Sequence, residues 1–236
     1  MRHPAPRERR GRVAVMLGNF LLHLHPVAIP KQALRLQYTW CMGGIAAFLF
    51  LLETITGVLL MFYYRPTVEW AYRDMLDLRD VVSLSLLRDL HRWGAHAMVV
   101  TVVLHMVRVF LTGSYKSPRE FNWVIGVLLL TLTLLLSFTG YLLPWDQKSI
   151  WPVTVASNMA GAAPLVGAEG PGHQWLDAGA ARGLDPKTLL LGAPSVGEET
   201  LNRFYVLHCV AVPLLAGLLT AVHFWRVRKD GISRPL

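Results

Sequence analysis

The sequence predicts an all-α integral membrane protein: a bundle of four transmembrane helices preceded by an amphipathic surface helix. Hydrophobic residues make up 53% of the 236 residues and charged residues only 16%, below the roughly 25% that is usual for soluble domains. Four apolar stretches also reach the length of about 20 residues that a helix needs to cross a bilayer. The Lys and Arg residues are concentrated in some of the connecting segments and depleted in others.

The predicted spans lie at residues 39–63, 91–112, 122–145 and 204–226. Residues 66–90 carry too many charges to span. The stretch 146–202 is too rich in Gly, Pro and charge, so we interpret it as a long external loop. The chain therefore divides into an N-terminal segment, 1–38, and a four-helix domain, 39–236.

The N-terminal segment combines the basic run RERRGR with the apolar run VAVMLGNFLLHLHPVAIP. Asn19, His23 and His25 interrupt the apolar part, and no small-residue cleavage motif follows, which argues against a signal peptide. We predict an amphipathic helix in the membrane interface on the cytoplasmic side.

An even number of spans places both termini on one side of the membrane. Most of the Lys and Arg residues fall in the N-terminal segment, in the loop after the second span and at the C-terminus, whereas the opposite side carries slightly more acids than cations. The positive-inside rule then predicts cytoplasmic termini. Because orientation explains the net charge of +8, we expect no nucleic-acid partner.

Two histidine pairs lie inside predicted spans. His91 and His105 are 14 residues apart in the second span, and His208 and His223 are 15 apart in the fourth. Each pair returns to nearly the same helix face about four turns, or roughly 21 Å, along the axis. A single intramembrane histidine could be a hydrogen-bonded core residue, but such residues are costly and usually functional. Since imidazole is a good axial ligand of haem iron, antiparallel helices predict two bis-histidine haem sites that carry electrons across the membrane.

Two glycine pairs repeat this interval. Gly43 and Gly57 in the first span are 14 residues apart, as are Gly126 and Gly140 in the third. Without a Cβ atom, glycine lets a flat macrocycle approach the helix backbone. The alternative is that these small residues only permit close helix packing.

Arginines flank the second-span histidines. Arg88 precedes His91 by three residues and Arg108 follows His105 by three, so both are candidates for binding haem propionates. Equally, they could be arginines that extend toward the membrane surface. In the fourth span, Pro213 predicts a kink that could accommodate the 15-residue histidine interval.

Several runs resemble the cytochrome b family, the haem-bearing subunits of quinol–cytochrome c reductases. They are RDLHRWGAHAMVVTVVLHMVRVFLTGSYKSPRE, ETITGVLLMFYYRPT, SFTGYLLPWDQ, ETLNRFYVLHCVAVP and RKDGISRPL. The chain is most similar to the b6-type branch, because it ends after the fourth span, because the second histidine interval is 15 and because Cys41 stands in QYTWCMGG.

This resemblance implies the haem ligands. His91 and His208 would hold a b haem near the outer surface, and His105 and His223 a second b haem near the cytoplasmic surface. It also implies a third, c-type haem attached covalently to Cys41, although the residues alone favour a packing role for this cysteine. Arg228 would contact a propionate of that haem.

The resemblance further implies quinol oxidation at the outer side, near Tyr141, Pro144, Trp145 and Asp146. The expected partners are a subunit equivalent to the second half of cytochrome b, a Rieske iron–sulfur protein, a c-type cytochrome, quinone and membrane lipid. We expect a dimeric complex in a bacterial inner membrane, plasma or photosynthetic, that couples electron transfer to proton translocation.

Two other functions stay open on the sequence: a di-haem membrane anchor of another quinone-linked oxidoreductase, and a transporter or structural subunit without haem. The roles of two spanning residues are also open. Glu53 stands where relatives often have Gln, and His96 lies about 140° around the helix from His91.

Overall fold

The structure, a computed structural model, describes residues 31, 40–173 and 185–233. Four helices in this part of the chain are long and apolar enough to cross a membrane, which confirms the predicted all-α, four-span architecture. The surface helix predicted within residues 1–38 lies outside the described residues, apart from Lys31.

The regular elements of the described segments are helical. In chain order they are α1 (Met42–Met61), α2 (Ala71–Asp80), α3 (Val82–Leu111), α4 (Glu120–Leu142), α5 (Gln147–Gly161), α6 (Pro186–Leu191), α7 (Glu198–Val206) and α8 (Val212–Asp230). A π-helical turn, Leu207–Ala211, joins α7 to α8, so the fourth span is continuous over Glu198–Asp230.

Helix α3 begins earlier than the sequence predicts. It starts at Val82 rather than at residue 91. The charges of Arg88 and Asp89 end the apolar stretch at this point, but they do not end the helix, because charged residues such as Arg have good helix propensity. His91 therefore lies well inside α3 and not in its first turn.

The predicted loop 146–202 contains α5, α6 and the start of α7. Asp146 begins α5 with a capping box: its carboxylate accepts a hydrogen bond from the Ser149 backbone N–H at 2.8 Å, and the Ser149 hydroxyl is 2.9 Å from the Asp146 backbone nitrogen. Asp185 caps α6 through the Thr188 backbone N–H at 3.0 Å.

Contacts divide the chain into two compact units, and each of the four spans contributes to both. Among the described residues, the larger unit comprises Phe48–Val99, 132–173 and 185–215; the smaller comprises 40–47, Val100–Thr131 and 216–233.

In the larger unit, the end of α4 is fixed by buried apolar side chains. One cluster is formed by Leu142, Val153, Leu191 and Phe204. A second cluster is formed by Tyr64, Ala71 and Leu201. The Tyr64 hydroxyl also donates a hydrogen bond to the Leu143 carbonyl at 2.6 Å. Burial, with smaller contributions from Cys209, Asp74 and Tyr205, raises the pKa of Tyr64 above its ordinary value. The phenol therefore stays protonated and keeps donating.

In the smaller unit, the loop after α3 is held against the end of α8. The Ser114 and Ser233 hydroxyls are 2.6 Å apart, and the Arg119 guanidinium donates to the Gly231 carbonyl at 3.1 Å. Arg226 and Asp230 form an ion pair at 2.8 Å one turn apart on α8. These contacts fix the ends of α3 and α8, the helices that carry His105 and His223.

The fourth span is irregular directly before Pro213. The Val212 N–H donates to the Leu207 carbonyl, five residues earlier, instead of four. A π-helical turn holds about one residue more than an α-helical turn. The 15-residue interval between His208 and His223 therefore has roughly the register of 14 residues in a regular helix, which is the interval between His91 and His105.

Candidate functional site

His91 on α3 and His208 in the π-helical turn face each other in the larger unit. Their ring centroids are 6.1 Å apart and the ring planes are inclined at 83°. An imidazole nitrogen binds a metal ion at about 2 Å, so two imidazoles on opposite sides of one ion have centroids about 6 Å apart. The observed separation therefore fits two axial ligands of a single iron.

The Nδ1 atom of His91 is held by two groups of α1. It lies 2.9 Å from the Thr56 hydroxyl and 3.1 Å from Glu53 Oε2. The Thr56 hydroxyl donates its own proton to the Leu52 carbonyl at 2.7 Å, so it accepts from His91. With Nδ1 protonated, Nε2 keeps the lone pair that a metal needs.

The same arrangement recurs at His208. Its Nδ1 lies 3.0 Å from the Leu136 carbonyl oxygen and 3.3 Å from the Thr139 hydroxyl, both on α4. Because a carbonyl oxygen can only accept, Nδ1 of His208 carries the proton and its Nε2 is available as a ligand.

Thr56 and Thr139 are not among the site residues predicted from the sequence. The signal was present, because each threonine directly precedes a glycine of the predicted pairs, so that a Thr-Gly dipeptide occurs in both α1 and α4.

In the larger unit, each predicted glycine lies beside one histidine. A Cβ atom on Gly57 would be 3.1 Å from Cε1 of His91, and one on Gly140 would be 2.5 Å from Cε1 of His208. Cε1 is bonded to both ring nitrogens, and in each case Nδ1 is slightly nearer to the glycine than Nε2, so both glycines lie beside the Cε1 side of the ring. The absent side chains thus leave space beside two rings whose Nε2 atoms are available as ligands.

The smaller unit repeats this arrangement with His105 and His223. His105 lies on α3 and His223 on α8. A Cβ atom on Gly43 would be 3.3 Å from Cε1 of His105, and one on Gly126 would be 3.8 Å from Cε1 of His223. The structure therefore assembles four histidine–glycine contacts, two in each unit.

The donor set suits haem iron better than a bare metal ion. Over residues 40–173 and 185–233, no three or more His, Cys, Asp or Glu side chains are grouped to hold a metal ion. Haem iron already has four porphyrin nitrogens and needs only axial ligands from the protein. Two histidines with protonated Nδ1 atoms meet that need.

The predicted propionate and thiol ligands lie near these histidines in the chain. Arg88 and Arg108 are partly buried and lie on α3, about one turn from His91 and His105, respectively. Cys41 is exposed at the start of α1, two residues before Gly43, and its carbonyl accepts from the Ile45 N–H at 2.8 Å. Arg228 is partly buried in the last turn of α8.

The predicted quinol-oxidation residues follow one another at the end of α4. Tyr141 is exposed, and Pro144 is partly buried. Trp145 adopts a positive φ of 51° and packs against both apolar clusters of the larger unit, while Asp146 caps α5. The contacts of Trp145 and Asp146 are thus structural, and Tyr141 offers the accessible side chain.

His96 lies apart from the histidine pairs. Its side chain is exposed and contacts the Trp93 ring at a centroid distance of 5.6 Å. This placement agrees with its different helix face.

Comparisons with known proteins identify the family and the fold of this chain. The family model "Cytochrome b/b6/petB" matches residues 29–231. Cytochrome b6 of Synechocystis sp. is 40% identical over 198 residues, which cover 84% of this chain and 82% of that protein. A chain of the solved "Hyperthermophilic respiratory Complex III" superimposes with a TM-score of 0.76 at 26% identity. The superposition covers 95% of this chain and 55% of the other, so this chain spans about half the length of that solved chain.

Proposed function

Because this chain belongs to the cytochrome b/b6 family, we propose that it is the b-haem subunit of a membrane complex that oxidises quinol and reduces a cytochrome c- or plastocyanin-type acceptor. The observation that carries this proposal is the facing pair of His91 and His208 in the larger unit, together with a glycine beside each of the four spanning histidines. The chain contributes electron transfer within the complex and is not expected to turn over alone.

We propose that His91 and His208 bind one b haem through Nε2 and that His105 and His223 bind a second. When bound, the haems supply one-electron transfer across the membrane. Protein groups orient the two ligand rings of the first pair: the Thr56 hydroxyl accepts a hydrogen bond from Nδ1 of His91, and the Leu136 carbonyl accepts one from Nδ1 of His208.

Other predicted residues complete the two pockets. Gly57 and Gly140 leave space beside Cε1 of His91 and His208, where a Cβ atom would lie at 3.1 and 2.5 Å, and Gly43 and Gly126 lie beside Cε1 of His105 and His223 at 3.3 and 3.8 Å. Arg88 and Arg108 would pair with the anionic propionates, since a guanidinium binds carboxylates through two parallel hydrogen bonds. The π-helical turn supports the proposal, because it gives the 15-residue interval between His208 and His223 the register of the 14-residue interval between His91 and His105.

The charge distribution supports an orientation with cytoplasmic termini. The His105–His223 pair would then lie on the cytoplasmic side and the His91–His208 pair on the outer side. Quinol would be oxidised near Tyr141 on the outer side and quinone reduced on the cytoplasmic side. Protons would be released outside and taken up inside, which couples electron transfer to a membrane potential.

We propose as partners a subunit equivalent to the second half of cytochrome b, a Rieske iron–sulfur protein and a c-type cytochrome, in a dimeric complex. The spans support this proposal, because many large apolar side chains are exposed along them and require lipid or protein neighbours; examples are Phe48, Leu51, Ile55, Leu214 and Leu218.

The proposed function is tested on the complex purified from its native membrane. We expect a reduced-minus-oxidised spectrum with two b-type components, and co-purification of a Rieske protein with quinol-dependent reduction of an added c-type cytochrome. Two b haems without a Rieske protein would instead identify an anchor of another quinone-linked oxidoreductase. A spectrum without b-type haem would refute both.

We further propose that Cys41 holds a third haem through one thioether, with Arg228 on its propionate. This proposal is supported by the position of Cys41, two residues before the glycine that contacts His105. We expect the chain to stain for haem on a denaturing gel, because covalent attachment survives denaturation, and the Cys41→Ala chain to lose the stain. Cys209→Ala is the matched control and should keep it. An unstained native chain would refute the covalent haem.

A further inference from the structure

Glu53 is a carboxylic acid within a membrane span, on α1. Ionisable groups in this environment are costly and are usually functional, paired with a specific partner. Its side chain is 14% exposed, and Oε2 lies 3.1 Å from Nδ1 of His91. The function proposed above does not use it.

The backbone of α3 leaves a space for this carboxyl group. A Cβ atom on Gly94 would fall on Glu53 Oε1, so the glycine is required for the carboxyl group to lie where it does. Oε1 is buried and, within the described part of the chain, has no hydrogen-bond partner. The contact with His91 is therefore the feature that fixes the orientation of this carboxyl group.

His91 thus has two acceptors of different strength at Nδ1. The Thr56 hydroxyl is neutral, whereas Glu53 in its ionised form is a charged and therefore stronger acceptor. An acceptor of this kind on a metal-bound histidine makes the imidazole a more basic ligand, and a more basic ligand favours the more positive, oxidised iron. Among the described residues, neither His105 nor His223 has an ion pair with a carboxylate, so the effect is confined to one pair.

On this geometry, and resting on the proposed function, we infer that Glu53 is a positioning residue: its ionised carboxyl group accepts a hydrogen bond from the Nδ1–H of His91 and lowers the reduction potential of the haem held by His91 and His208. The haem held by His105 and His223 lacks this acceptor and serves as an internal reference in the same molecule.

The test is a redox titration of the whole complex in its membrane, with both b haems followed by their visible spectra. Glu53→Gln should raise the reduction potential of the His91–His208 haem. The expected shift is about tenfold in the one-electron equilibrium toward the reduced form, which is about 59 mV. Glu53→Leu removes the acceptor altogether and should shift it further in the same direction. The His105–His223 haem should not move.

Glu69→Gln is the matched control, because it removes an exposed carboxylate and should leave both potentials unchanged. Gly94→Ala keeps Glu53 but displaces its carboxyl group, and should raise the potential of the same haem. An unchanged potential in Glu53→Gln and Glu53→Leu with both haems present, or equal shifts of both haems, would overturn the inference while the proposed function stands. A wild-type complex without b haem would overturn both.

Discussion

Replacing His91 by leucine is expected to remove one of the two b haems and leave the other. Leucine fills much of the volume of the imidazole but offers no nitrogen to the iron, and His208 alone cannot hold a six-coordinate haem. We expect the b-type absorbance of the purified complex to fall by about half and quinol-dependent electron transfer to be lost. The measurement is a reduced-minus-oxidised spectrum normalised to the amount of the chain.

His96→Leu provides the control, because it makes the same substitution five residues along the same helix. The exposed His96 ring contacts Trp93 and no paired histidine, so both haems should be retained. Equal haem content in His91→Leu and the wild-type complex would contradict the assignment of His91 as a ligand.

The second large effect is expected at Gly140. A Cβ atom there would lie 2.5, 2.9 and 3.1 Å from Cε1, Nδ1 and Nε2 of His208. The ring cannot move aside without weakening its hydrogen bond to the Leu136 carbonyl. Gly140→Ala should therefore destabilise the haem-bound form by about 1–3 kcal/mol, the usual cost of overpacking, and should deplete the His91–His208 haem in the spectrum.

Gly126 offers a matched comparison in the same helix. Its nearest neighbours would be Met106 Sδ at 3.5 Å and Cε1 of His223 at 3.8 Å, which are ordinary contact distances. Gly126→Ala should thus retain both haems. The prediction fails if Gly126→Ala loses more haem than Gly140→Ala, or if both variants keep the full amount.

The spans and the ligand candidates could be predicted from the sequence because both depend on local properties. Length and apolarity define a spanning helix, and the 14-residue interval identifies residues on one helix face. Each of the predicted glycines contacts a paired histidine, although the spacing alone could not tell which glycine belongs to which histidine.

The remaining features depend on contacts between segments that are distant in the chain. The early start of α3 was missed because Arg88 and Asp89 interrupt the apolar stretch without interrupting the helix. The role of Thr56 was missed because its partner lies 35 residues away. The placement of Glu53 depends on Gly94, a residue of another helix, and no periodicity along a single span contains that information.

The π-helical turn at Leu207–Ala211 has a consequence for aligning this chain with others. Because the turn absorbs one residue, a chain with 14 residues between its two ligands should have a regular helix here. An alignment of the two chains would place its single-residue gap inside a transmembrane helix and not in a loop. The direction in which each imidazole points, and not the number of residues between them, would be the quantity that the two chains share.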